Sequence, residues 1–413
     1  PAVHPYYGEY PLAVDYAKDQ YVYDVDGNTY LDFFGGVLTV SVGHCNDYIT
    51  ERTIEQFKKA QHTSTLYINE IMIEVAEKLA EITPGRLQMS FFTNSGTEAN
   101  ETAIMAARMY TGNPTVLALR HAYSGRSATA MSITAHGTWR LGGVQDGYIK
   151  HVRNPYVYRA PLPDMSAEEV VELCVRDLEE SLATITDGKI AAFIAEPIQG
   201  VGGFIVPPSE YFQRVVPMIK EAGGLFIADE VQTGWGRTGN KWFGIEHWGV
   251  EPDIMTFAKG MANGSPIGCT IATPEVAEAV QGLTFSTFGG NPVTMAQALA
   301  TIEYIEQNDL LTNAAVRGAE LRDRLLKMQA KYPFMGDVRG MGLMQGVEVV
   351  HPGGKDADAA KTTVIMEAAR REGLLIGKGG LYGNTLRIAP HLNVTADDLQ
   401  AGCDLLEKAL ASV

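Results

Sequence analysis

The chain has 413 residues, 46% of them hydrophobic and 20% charged, a length that suits two or three domains. No uninterrupted apolar stretch approaches the ~18 to 20 residues needed to cross a bilayer, so a membrane-spanning role is excluded. With 33 Lys and Arg against 49 Asp and Glu the formal charge is −16, which repels a phosphate backbone and makes nucleic acid an unexpected partner.

In chain order, the opening PAVHPYYGEY has neither the apolar core of a secretion signal nor the Arg-rich face of a transit peptide. Residues 89–94, 115–119, 191–197, 224–230 and 253–259 are short, almost continuously apolar runs that end in turn chemistry. That pattern predicts strands buried on both faces. Between them, residues 98–110, 167–185 and 209–223 carry apolar side chains at helical spacing. Strand and helix in alternation predict an α/β protein with a mostly parallel sheet flanked by helices. Beyond about residue 290 come two helical blocks, then VRGMGLMQGVEVV and a last strand-like LRIAP, which predict a smaller α+β C-terminal domain. The expected division is an N-terminal segment of residues 1–50 packing with the small domain, a large domain of 51–295 and a small domain of 296–413. Cys45, Cys174, Cys269 and Cys403 lie far apart without a Cys-x-x-Cys pair or a His at ligand spacing. They read as reduced thiols of a cytosol-like compartment, with no metal site; a mitochondrial matrix location would require a removed transit peptide.

Three segments carry chemistry. FFTNSGTEAN runs from a strand through Asn94, Ser95, Gly96 and Thr97 into a helix, aiming backbone N–H groups and hydroxyls at a point where an anion would sit. An ordinary N-cap by Ser95 or Thr97 explains the same residues. LFIADEVQTG delivers Asp229 to the C-terminal end of a buried strand, where open α/β sheets bind ligands. A buried Asp needs a cationic partner there, unless it caps a helix or forms a structural salt bridge. The G-x-G-x-x-G from Gly234 to Gly239 is followed by NKWFGIEHWG, a poor helix, so it reads as a glycine-rich loop and not a dinucleotide fingerprint. Thirty positions after Asp229, a third apolar run ends on Lys259. Burial would lower its pKa and free a nucleophilic amine, whereas a snorkelling surface Lys would not react.

In combination, SGTEAN, EPIQG (196–200), ADEVQTG (228–234), FAKG (257–260), STFGGNP (286–292) and LRIAP (386–390) resemble the class III aminotransferases, fold-type I enzymes that use pyridoxal 5′-phosphate (PLP). EPIQGVGG and GLLIGKGGLYGNTLRIAP are most similar to the alanine–glyoxylate aminotransferase and ω-amino-acid:pyruvate branch. The resemblance implies that Lys259 is the Schiff-base lysine and Asp229 the partner of the PLP ring nitrogen. It further implies that Gln232 bonds the ring hydroxyl, that Val231 and Tyr123 cover the two ring faces, and that Ser95, Gly96 and Thr97 form the phosphate cup. Thr287 would come from the other subunit of a homodimer, or of a dimer of dimers, with shared active sites. Glu196 matches the acidic residue beside the cofactor, and Arg387 would receive the substrate carboxylate.

Two departures bear on the substrate. Ser124 stands where many family members have His. Val201 stands where the ornithine and 4-aminobutyrate branches have a Glu that pairs with the carboxylate-binding Arg. An ungated Arg387 implies a transfer from an amino acid or ω-amino compound to a short 2-oxo acid, pyruvate or glyoxylate, in ping-pong order. The alternative within the same family is a lyase, either a phospholyase or a decarboxylase. A phospholyase needs a basic pocket, to which Arg126, Arg140 and Arg153 are the candidates.

Overall fold

The computed structural model describes residues 6–8, 11–142 and 145–413. Most of the opening decapeptide, residues 1–5 and 9–10, therefore lies outside the described residues. The apolar runs assemble into one seven-stranded sheet, in the order Met89–Thr93, Gly268–Ala272, Ile254–Ala258, Leu225–Asp229, Ala192–Ala195, Val116–Leu119 and Ile149–Val152. The last five run parallel. Every residue of Val116–Leu119, Ala192–Ala195, Leu225–Asp229 and Ile254–Ala258 is buried, as strands covered by helices on both faces require. Phe193 and Phe226 are fully buried with their rings 6.0 Å apart, and side chains of this size contribute about 1.5–3 kcal/mol each by leaving water.

The strand Gly268–Ala272 is absent from the sequence reading, and it lies antiparallel to both of its neighbours. After Ala258 the chain reverses through a tight turn at Lys259–Ala262 and returns beside itself. Without a crossover helix between them, adjacent strands can only be antiparallel.

Helices Gly96–Thr111, Ala167–Thr184 and Tyr211–Glu221 fall where apolar periodicity placed them. The Gly234 to Gly239 segment is a run of turns and not the start of a helix. Toward the C-terminus, Pro292–Gln307 and Leu310–Lys331 precede a four-stranded antiparallel sheet of Met335–Met341, Met344–Val349, Thr385–Ile388 and Gly377–Gly379. Arg387 sits in its third strand, opposite Gly346 on one side and Gly377 on the other. A third sheet joins Val14–Lys18, Tyr21–Asp24 and Thr29–Asp32 to Leu374–Leu375, so the N-terminal strands are sewn to the C-terminal part of the chain. Helix Ala396–Ala411, capped by Thr395, closes the chain and was not anticipated from the sequence. Among the described residues no helix is long and apolar enough to cross a membrane.

Candidate active site

Two neighbouring parallel strands end at one place, and each ends on a side chain with chemistry. Asp229 is the last residue of Leu225–Asp229, and Lys259 directly follows Ile254–Ala258. Lys259 adopts φ +48, a left-handed conformation that costs a non-glycine residue roughly 1–2 kcal/mol. Strain of this kind persists where the surroundings over-determine it, and it is concentrated at functional sites.

Asp229 is buried and held rigidly. Its Oδ2 accepts from Asn100 Nδ2 at 2.9 Å and its Oδ1 from the Val231 N–H at 3.2 Å. Asn100 is itself locked, because its Oδ1 accepts from Thr256 Oγ1 at 2.8 Å. The helix carrying Asn100 begins at Gly96, and Ser95 caps it by accepting from the Glu98 N–H. Of the two capping readings, Ser95 and not Thr97 makes that bond. Thr97 Oγ1 instead accepts from the Arg126 N–H at 3.4 Å.

These elements enclose a cavity of about 320 Å³, lined by Gly96, Thr97, Asn100, Tyr123, Ser124, Gly125, Arg126, Glu196, Asp229, Val231, Gln232, Ala258 and Lys259. Eight of the eleven residues singled out by sequence thus meet in one hollow. Ser95 stands behind it as the cap. Glu196 is tied down by the Tyr123 N–H at 3.1 Å and the Gly200 N–H at 2.8 Å. Trp139 packs edge-on to Tyr123 at 5.5 Å and orients that ring.

Burial pushes the Lys259 amine down to about 8, with the Arg387 charge adding to the effect and Asp229 and Glu196 opposing it. Burial also raises both carboxyls above the usual carboxylate range. The charge of Asp229 raises Glu196 further, while Asn100 and the Val231 N–H hold Asp229 down. The cavity therefore contains a readily neutralised amine facing two buried carboxyls.

The sequence matches the family Aminotransferase class-III over residues 3–410. The chain belongs to the class III aminotransferases. The aminotransferase is 43% identical over 390 residues to alanine–glyoxylate aminotransferase 2 homolog 2, mitochondrial, of Arabidopsis thaliana, covering 94% of this chain and 80% of that one. It is 34% identical to human alanine–glyoxylate aminotransferase 2, mitochondrial, with 99% and 84% covered. Among solved structures, an amine transaminase from an uncultivated Pseudomonas species, described in its PLP-bound form, superposes with a TM-score of 0.92 at 32% identity, covering 99% of this chain and 98% of that one.

The fold is that of a fold-type I transaminase, and its cofactor is PLP. The aminotransferase's cavity fits that group on two counts. Gln232 Oε1 is buried without a hydrogen-bond partner among the described residues, an acceptor suited to a ring hydroxyl. Its amide lies flat against Gly200, where any Cβ would collide with it. Second, the buried Asp229 is the anionic partner that a protonated ring nitrogen requires.

Arg387 does not line this cavity, although its charge acts on Lys259. It is 4% exposed, with its guanidinium 4.9 Å from the Phe34 ring centre and 5.6 Å from that of Phe204. Nε donates to Lys378 O at 3.2 Å, the Tyr6 hydroxyl acts on the guanidinium, and Nη1 is buried without a hydrogen-bond partner among the described residues. Among the described residues no carboxylate forms an ion pair with it. Thr287 is exposed and outside the cavity of its own chain. Of the three candidate arginines only Arg126 lines the cavity. Arg140 bonds Gln145, and the Arg153 backbone is held by Asp177.

Sequence reasoning missed Asn100, which lies inside the SGTEAN motif and whose helix position one turn after Gly96 was the available signal. It also missed Phe34 and Phe204, for which no local pattern exists.

Proposed function

We propose that this aminotransferase moves an amino group from an amino acid or ω-amino compound to a short 2-oxo acid, pyruvate or glyoxylate, in ping-pong order. The observation that carries the reading is Arg387: a guanidinium buried beside two aromatic rings and the Tyr6 hydroxyl, with an Nη1 that has no hydrogen-bond partner and no paired carboxylate among the described residues. A charge so desolvated and unneutralised is a receptor for one carboxylate of a small substrate.

When bound, PLP supplies an electron sink for the pair released as the substrate Cα–H bond breaks. The residues of this chain do the rest. Gly96 and Thr97, at the helix start capped by Ser95, would hold the phosphate. Val231 and Tyr123 would cover the ring faces, Gln232 would accept from the ring hydroxyl, and Asp229 would keep the ring nitrogen protonated. Glu196, braced by the Tyr123 and Gly200 N–H groups, would stand beside the ring as a second acid. Lys259, driven toward its neutral form by burial, would be both the nucleophile toward the cofactor aldehyde and the base that moves the Cα proton. Residues 51–295 would carry this cofactor site and residues 296–413 the carboxylate anchor, with the first fifty residues packed on the latter. The four cysteines are free, and a reducing compartment, cytosol or matrix, is the proposed setting.

The test is acceptor preference. With Val201 in place of a gating acid, kcat/KM for pyruvate or glyoxylate should exceed that for 2-oxoglutarate by at least about tenfold, or ~1.4 kcal/mol. Comparable values would overturn the reading.

The exposed position of Thr287 supports its donation to a second subunit's phosphate site in a homodimer. Thr287→Asp should expel PLP by placing a carboxylate beside the phosphate, and it should be inactive, as should Lys259→Ala. Heterodimers of the two contain one intact site and should recover up to about half of wild-type activity. Verified heterodimers without activity would place the phosphate site within one chain.

A further inference from the structure

Asp32 ends the strand Thr29–Asp32 and is 4% exposed. Its Oδ1 accepts from both the Phe34 and Gly35 N–H groups at 2.9 Å. Its Oδ2 bonds His44 Nε2 at 2.9 Å and lies 3.7 Å from Nε2 of the fully buried His391. Three donor atoms this close are the raw material of a metal site. However, Oδ1 is already committed to the backbone, and the charge of the buried Arg237 acts on His391 and would oppose a cation there. The cluster acts on the chain instead.

The chain that Asp32 grips is a left-handed turn. Gly35, Gly36, Val37 and Leu38 have φ of +56, +57, +67 and +58. The turn is closed by Leu38 N to Phe34 O at 2.8 Å and Thr39 N to Gly35 O at 2.9 Å. Glycine can adopt this conformation, but the β-branched Val37 does so against its own sterics. At Gly35 a Cβ would also collide with Val40 O and press on the His391 ring. The carboxylate therefore holds a strained turn in place from one end, and His391 packs against its first residue.

The turn connects the two functional halves of the site. Phe34, at its start, is the ring under Arg387. On either side of that ring, Ala389 N donates to Phe33 O and Leu392 N to Ser41 O, both at 2.7 Å, so the strand bearing Arg387 is clipped to this segment. At the far end, the Ser41 and Val42 N–H groups donate to Asn263 Oδ1 at 2.7 and 3.0 Å, four residues beyond Lys259.

We propose that Asp32 is a positioning residue for substrate carboxylate recognition. Through the left-handed turn Gly35–Leu38 it fixes Phe34 beneath Arg387 and sets the distance from the carboxylate anchor to Lys259. The proposal rests on the reading of Arg387 as that anchor.

Two carbonyl reagents that differ by a carboxylate provide the test. Aminooxyacetate and O-methylhydroxylamine both consume the cofactor absorption of the PLP holoenzyme, and the change between variants in the ratio of their second-order rate constants, in which their intrinsic reactivities cancel, reports carboxylate recognition. In Asp32→Ala the ratio should fall by about tenfold or more, while the O-methylhydroxylamine rate stays within about threefold of wild type. Asp32→Asn keeps an acceptor for the two N–H groups and should restore most of the ratio. In an Arg387→Ala background, Asp32→Ala should change the ratio no further, because the two residues act in series. Phe34→Leu removes the ring that the turn delivers and should lower the ratio even if Asp32→Ala does not fold. An unchanged ratio in either Asp32→Ala or Phe34→Leu, equal losses for both reagents, or a further fall in the Arg387→Ala background would overturn the proposal. If Arg387→Ala alone left the ratio at the wild-type value, the reading of Arg387 would fall first, and that outcome is distinct from all of these.

Discussion

Lys259→Ala should retain PLP and lose turnover by at least the 10²- to 10⁴-fold that positioned proton transfer supplies, with loss of the nucleophile adding to it. Retention is expected because the phosphate cup, Asp229 and Gln232 are built from other elements and owe nothing to the lysine. The loss is expected because a single amine serves two purposes, and no other lysine lines the cavity. Two measurements check the assignment. Borohydride reduction of the wild-type holoenzyme followed by peptide mapping should place the pyridoxyl group on Lys259, and its appearance on another lysine would reject the assignment. The pH dependence of PLP capture by apoprotein should also reflect the lowered pKa. Only the neutral amine attacks an aldehyde, so the capture rate should rise with pH, bend near about 8 and then level. A lysine at its ordinary 10.5 would show a rate still climbing well above that point.

Arg387→Ala should weaken kcat/KM for pyruvate by about 2–5 kcal/mol, roughly 30- to 5000-fold, because a desolvated charge pair with the substrate carboxylate is lost. The cost is large because Arg387 is buried between Phe34 and Phe204 and, among the described residues, forms no ion pair that could replace the substrate carboxylate. Arg387→Lys should recover only part of the loss, since a point charge replaces a planar fork of donors. An amine without a carboxylate should lose much less in either variant. Equal losses for acids and plain amines would mean that the substitution disturbs the cavity as a whole and that Arg387 does not receive the carboxylate.

What the sequence by itself determined is local in origin. Asp229 and Lys259 were legible because each ends an apolar run of the length of a buried strand, and a polar residue at such a point is conspicuous against its neighbours. Ser95 was legible because capping depends on bonds only three residues apart. The parallel order of the central strands followed from strand and helix in alternation, since a crossover helix leaves the next strand parallel.

The tertiary structure alone decided the rest, through contacts with no periodicity to announce them. Asn100 reaches Asp229 across 129 positions and fixes the geometry of the buried carboxylate. Phe34 meets Arg387 only because Ala389 and Leu392 are zipped to the segment around residues 33–41. Gly268–Ala272 runs antiparallel because the turn at Lys259 is too tight for a crossover, and nothing in the residues of the strand itself specifies a direction. The left-handed turn at Gly35–Leu38 contradicts the preference of Val37 outright. A local preference of that size yields when Asp32 and His44 from the flanking chain and His391 from the far end of the sequence converge to hold the backbone against it.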